Sequence, residues 1–368
     1  MTASPSGPRR SFRLYLVALF LPAALIFSTS GIVNYQLNPL AYDRGHIRDV
    51  AAELNAGRNY ANYDLNINWR ALRRAQIQQM SAAPDVIVFG GSRWWEAHEE
   101  IVPGRSFKNL WVSNDQAEDA LALTYMLEEA GRLPKIMVLS LRFISFQPPG
   151  ERDAQEWQEW APEYRAMAER LGIEPHSYLT TTPVRQWSSM FYAPAIYNRI
   201  QQLSKVNETA GSTTERQKQE LEVIASDGSI YWSKETDAKH TKDFVDKAVA
   251  TELEKVGNKQ PKIDPSLVAA FEKVVEHLQK KGVRVVLAQT PYHPSFWNTV
   301  KDRPFGKTLL GLESIATDMQ QRHGIISVGS YDPAEMGCVA EDYIDHIHAR
   351  PACVGKVLRL VPDLAAAG

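Results

Sequence analysis

The longest apolar run in the chain lies near its start. Leu14 to Val33 carries no charged side chain, and about twenty helical residues, rising 1.5 Å each, cross a hydrocarbon core of roughly 30 Å. Arg9, Arg10 and Arg13 precede it. Positive charge on that side predicts a cytoplasmic N-terminus and an exported body. The competing reading is a cleaved signal peptide, since Ser28-Thr29-Ser30 offers small residues near a cleavage point. The apolar run continues past those serines, and Pro22 is tolerated within a span. Either reading exports the rest of the chain.

Beyond this run the pattern alternates between short apolar blocks and longer amphipathic stretches. Asp85 to Phe89, Ser106 to Val112, Pro134 to Leu141, Val283 to Gln289 and Ile325 to Val328 read as strands. Helices are predicted over Asp115 to Ala130, Asp264 to Lys281, Leu309 to His323 and Pro351 to Leu360. The second of the four carries Asp264 as cap, Pro265 in its first turn and Gly282 as its stop. Strand, helix, strand in this rhythm predicts parallel βαβ units with right-handed crossovers, an α/β fold. Residues 34–83 form a polar, aromatic connector and a lid for the sheet edge. Its helix, Trp69 to Met80, turns Leu72, Ile77 and Met80 inward.

The rhythm breaks between about residues 147 and 257. Trp157, Trp160, Trp187 and Trp232 are scattered there among polar stretches, and Gly211 to Lys218 is composed like a loop. The region is expected to be an insertion covering a crevice, its aromatic residues either stacking on sugar rings or packing a core of their own. The resulting division is a tail (1–13), a transmembrane helix (14–33), a connector (34–83) and one α/β domain (84–368).

Composition narrows the function. The formal net charge of −2 gives no sign of nucleic-acid binding. Only Cys338 and Cys353 are present, and they bracket Asp345-His346-Ile347-His348. In an exported segment they either pair as a disulfide that pins this element or stay as two buried thiols. Zinc calls for more soft ligands than these. His346 and His348 form a His-x-His pair, yet no third strong ligand lies nearby in sequence, so no metal and no cofactor are expected.

The chemistry gathers at Asp85-Val-Ile-Val-Phe-Gly-Gly-Ser-Arg93. Gly90 and Gly91 end a strand and place Ser92 on a tight turn at its carboxyl end, where open parallel sheets bind ligands. There Ser92 is either a nucleophile or a helix N-cap. A nucleophilic serine needs a base, which His348 supplies, with Asp345 to hold its tautomer. His346 competes for the base role. Trp94, Trp95 and Tyr292 either wall the site or pack inside. His293 in Pro291-Tyr-His-Pro294 either faces the crevice or holds a turn.

The Gly-x-Ser turn followed late in the chain by Asp-x-x-His resembles the SGNH (GDSL-type) hydrolase superfamily. With one N-terminal membrane helix, it is more narrowly similar to the D-alanyl transfer protein of teichoic-acid alanylation and its Gram-negative relatives. The resemblance extends from Asn34-Tyr-Gln-Leu-Asn-Pro39 through Asn109-Leu-Trp-Val-Ser-Asn114 and Pro291-Tyr-His-Pro294 to Asp345 and His348. It implies an α/β/α sandwich and a Ser92–His348–Asp345 triad, with His348 favoured over His346 by spacing. It also implies O-acyl transfer, most plausibly of acetyl, to an exported polysaccharide or envelope glycan beside a membrane-bound O-acyltransferase. Two departures bear on the oxyanion donors. Trp111 stands where relatives often carry glycine, and the third strand ends Leu141-Arg142 without the expected asparagine. Asn114 is then either a donor or a turn residue, and Arg142 either meets an anionic group or pairs with an acidic surface neighbour. The rival readings are an esterase with the same triad, and a non-catalytic glycan-binding or assembly factor.

Overall fold

The computed structural model describes residues 8–37, 44–62, 67–152, 156–175, 211–212, 220–256, 258–362 and 364. Trp187 and residues 213–218, as well as Asn38 and Pro39, lie outside them. The N-terminal apolar run is helical, α1 (Pro8–Leu37). Its Leu14–Ile32 stretch has mean hydropathy 1.9 and is long and apolar enough to cross a membrane.

The connector holds α2 (Arg44–Asn55), β1 (Tyr60–Asn62) and α3 (Trp69–Gln79). Leu72 and Ile77 are buried on α3 as the spacing predicts, and Met80 follows them into the core. Next come β2 (Val86–Phe89), β3 (Phe107–Asn109), α4 (Ala117–Glu129) and β4 (Ile136–Ser140). The following region contributes α5 (Ala161–Arg170), β5 (Gly211–Ser212), β6 (Glu222–Ile224), β7 (Ile230–Tyr231), α6 (Lys234–Lys239) and α7 (Lys242–Val256). The chain ends through α8 (Pro265–Lys280), β8 (Arg284–Gln289), α9 (Pro294–Val300), α10 (Pro304–His323), β9 (Ile326–Gly329) and α11 (Pro351–Leu358).

Five strands form one parallel sheet in the order β3-β2-β4-β8-β9. The central strands β2 and β4 are buried along their whole length, which is why they read as apolar runs and not as alternating patterns. Parallel pairing brings the carboxyl ends of β2, β4 and β8 to one edge. On α8, Asp264 accepts from the Ser266 N–H, and Leu267, Phe271, Val274, Val275 and Leu278 are buried at helical spacing. Each such side chain contributes about 1.5–3 kcal/mol. Helix α10 begins five residues before its predicted start, at Pro304, whose missing N–H costs nothing in a first turn.

A second, antiparallel sheet in the order β5-β1-β6-β7 was not expected. Its β6–β7 turn docks on the main domain. The Asp227 carbonyl accepts from Asn109 N–H at 2.7 Å, and the Trp95 carbonyl accepts from Ile230 N–H at 2.8 Å. Gly228 sits at φ +98°, and a Cβ there would collide with the Asn109 carbonyl. Beneath this turn, buried Arg73 donates to the carbonyls of Gly228 and Trp111 at 2.8 and 3.0 Å.

The region predicted as a crevice cover is divided in its role. Trp157 and Trp160 are buried in the main core. Trp160 Nε1 donates to the Arg70 carbonyl, and Arg70 is itself buried and bidentate on Asp119. Trp232, by contrast, reaches the sheet edge that carries Ser92.

Candidate active site

Ser92 opens a 3₁₀ turn at the end of β2, following an extended Gly91. The two preceding glycines are required by what lies against them. A Cβ on Gly90 would run into the Ser140 side chain and Trp94, and one on Gly91 would fall on Arg142 Nη1 and Asp115 Oδ1. The turn is therefore seated on a buried ion pair. Arg142 Nη1 donates to Asp115 Oδ1 at 2.6 Å, and Ser145 Oγ donates to Asp115 Oδ2 at 3.0 Å.

The side chain that meets Ser92 comes from 256 residues further along the chain. Tyr343 and Ala349 form an antiparallel bridge, and the residues between them close a tight tip. Within it Asp345 Oδ1 accepts from the Ile347 and His348 N–H groups, each at 2.8 Å. Asp345 Oδ2 lies 2.6 Å from His348 Nδ1, and His348 Nε2 lies 2.8 Å from Ser92 Oγ. An ionised Asp345 accepts the Nδ1 proton, which leaves Nε2 to accept from the serine hydroxyl. Burial alone would raise the Asp345 pKa, but the imidazole and the Ile347 N–H outweigh it and hold the carboxyl below the usual carboxylate range. Asp345 thus stays charged throughout the range in which a histidine works as a base.

Trp95 stacks on the His348 ring, with centroids 4.2 Å apart and planes 21° from parallel. An indole face is a favourable neighbour for an imidazole in its protonated form. Arg93, also buried, donates to the Thr290 and Pro291 carbonyls and lies 4.2 Å over the Tyr292 ring, tying the Ser92 turn to the end of β8.

The disulfide between Cys338 and Cys353 is present and spans 15 residues around the Asp345–His348 tip. Chain-entropy reasoning gives such a loop about 3 kcal/mol of stability. A chain carrying Cys338→Ser and Cys353→Ser is expected to lose about that much in chemical denaturation. An unchanged midpoint would show that the tip holds itself without the cross-link.

Several expected site residues take other places or partners than expected. Trp94 is fully buried, because the 3₁₀ turn directs it into the core, and Trp95 takes the place beside His348. Tyr292 is likewise buried. His293 is 2% exposed and caps α9, its Nδ1 accepting from the Ser295 N–H at 3.2 Å while its ring meets Tyr343 edge-on. It holds the turn and does not line a crevice. Asn114 is an exposed turn residue at φ +46°, and its amide donates to Glu156 Oε1 at 3.4 Å. Arg142 does pair with an acid, but Asp115 is buried, not superficial. His346 lies 4.0 Å from both Asp345 and Glu252, so the imidazole on the serine is that of His348.

Asp115 and Glu96 were not legible as site residues, and Trp232 was named only among the aromatic residues of the crevice cover. Trp232 Nε1 donates to Glu96 Oε1 at 2.7 Å, and Trp232 meets Trp95 edge-on at 5.0 Å. Among the described residues, Glu272, Glu276 and His323 converge closely enough to share a cation, although Glu272 already pairs with Arg322 and His323. No protein-family model matches the chain, and no curated protein matches it.

Proposed function

We propose that this chain is a membrane-anchored, SGNH-like serine acyltransferase that works on an exported glycan. One observation carries the reading: Ser92 Oγ, His348 Nε2, His348 Nδ1 and Asp345 Oδ2 form an unbroken hydrogen-bonded line. Ser92 attacks the carbonyl of an acyl donor, an ester or thioester, while His348 takes the hydroxyl proton and passes it to the departing alcohol or thiol. The acyl-serine is then attacked by an acceptor hydroxyl, whose proton returns through His348 to Ser92. Acetyl is the acyl group proposed. The Ser92 N–H and the Arg142 guanidinium, packed against Gly91, are the donors proposed for the developing oxyanion.

Two further features support a glycan acceptor and a membrane setting. From the triad, rings run outward through Trp95, Trp232 and His240 to Phe244, which is 47% exposed. An exposed aromatic ring on this line offers a face for a sugar. The apolar α1 would hold the site beside the bilayer, with the N-terminus cytoplasmic. There a membrane-bound O-acyltransferase partner would deliver acyl groups at high effective concentration.

The test is intact-mass spectrometry of the full-length chain in detergent after exposure to an activated acetyl ester, with and without an oligosaccharide acceptor. The expected result is one acetyl adduct on Ser92 that is discharged onto the sugar. Discharge into free acetate alone makes the protein an esterase with the same triad. No adduct and no hydrolysis would leave a non-catalytic glycan-binding or assembly role.

A further inference from the structure

Trp95 covers one face of His348, yet nothing in its own polar chemistry fixes it there. Its Nε1 is buried and has no hydrogen-bond partner among the described residues. Its orientation is set by the rings around it, Trp111 at 5.9 Å and Trp232 at 5.0 Å, both nearly perpendicular to it. Trp232 is anchored, because its Nε1 donates to Glu96. Glu96 is 4% exposed, and it follows Trp95 directly in sequence. An acid buried this deeply is costly to keep unless it serves an interaction that an apolar residue would not supply.

We infer that Glu96 is a positioning residue for His348, acting through Trp232 and Trp95 to hold the imidazole against Ser92. The inference rests on the acyl-transfer reading only for its effect on rate. The charged groups facing Glu96 are Arg350 and Asp345 from the C-terminal segment and Asp237 from α6, with His240 edge-on to Trp232. Arg350 is itself paired with Asp237 at 2.6 Å. Burial pushes the Glu96 pKa up to about 7 against the Trp232 hydrogen bond. A carboxylate grips an indole N–H more strongly than the neutral acid does. Raising the pH through about 7 therefore tightens the Trp232 anchor and steadies the stack on His348.

The experiment has two readouts on the full-length chain. The first is the Trp232 indole ¹⁵N–¹H resonance, assigned by its loss in Trp232→Phe and followed from pH 5 to 9. It is expected to shift with a midpoint near 7 in wild type and in Ser92→Ala, and to stay flat in Glu96→Gln. The second is the rate of Ser92 acylation against pH. Glu96→Gln and Trp232→Phe are each expected to acylate about 10-fold more slowly than wild type above pH 7, with Glu96→Gln and wild type converging below pH 6.

A flat resonance in wild type, or an equal shift in Glu96→Gln, overturns the inference. Adduct formation with identical pH profiles in wild type and Glu96→Gln also overturns it, while leaving the serine's role intact. A titrating resonance in a wild type that forms no adduct supports the Glu96–Trp232 coupling and defeats the acyl-transfer reading instead.

Discussion

Full-length chain carrying Ser92→Ala is expected to form no acyl adduct, and its turnover of an activated acetyl ester to fall at least ~10⁴-fold. His348→Ala should lose about as much, since Ser92 Oγ and His348 Nε2 are direct partners at 2.8 Å. The informative comparison is the double variant. Groups that act as one unit do not add, so Ser92→Ala with His348→Ala should be no slower than either alone. Steady-state kinetics over the three proteins decides this. Losses that multiply would mean the two side chains act separately and that their hydrogen bond is incidental to turnover.

Gly91→Ala is expected to cost stability and acylation together. The new Cβ would fall on Arg142 Nη1 and Asp115 Oδ1, so either the turn moves or a buried ion pair opens. Overpacking of a filled site costs about 1–3 kcal/mol, and breaking a buried pair costs about 3–5 kcal/mol. A loss of ~3 kcal/mol or more in chemical denaturation is the expected result, together with loss of acylation as Ser92 is displaced. Gly91 lies at φ −86°, an ordinary value for any residue, so the effect reports collision and not backbone freedom. Gly150→Ala is the matched control, because nothing lies within 4 Å of the Cβ it would add. Equal stability of the two variants would show that the Arg142–Asp115 pair yields without cost.

The sequence was most readable where the physics is local or repetitive. Strands β2, β4 and β8 are buried almost throughout, so their apolar runs stand out from the polar stretches around them. The amphipathic period of α8, closed by Asp264 at one end and Gly282 at the other, set its limits within a residue. Ser92, Asp345 and His348 could be singled out together because each carries a local signature, a double-glycine turn before Ser92 and a three-residue spacing that lets Asp345 fold back onto His348.

What was missed depends on contacts with no local signature. Trp94 and Trp95 are equivalent in the pattern, and only the 3₁₀ turn, with three residues per revolution, sends one into the core and the other onto His348. The Arg142–Asp115 pair joins two segments with nothing in either to announce the other. Strands β1, β5, β6 and β7 are two or three residues long, too short for alternation to show. His293 was ambiguous because a histidine before a proline serves as well for capping a helix as for facing a cleft, and here it caps α9.

The hydrogen bond between Ser92 and His348 joins positions 256 residues apart. During synthesis from the N-terminus, β2 and the Ser92 turn emerge long before the histidine that meets them. The Asp345–His348 tip also lies between the two cysteines, so its covalent closure waits for Cys353. Contacts of such long range form late and slowly. A nascent or truncated polypeptide that stops before His348 therefore carries Ser92 without its hydrogen-bond partner.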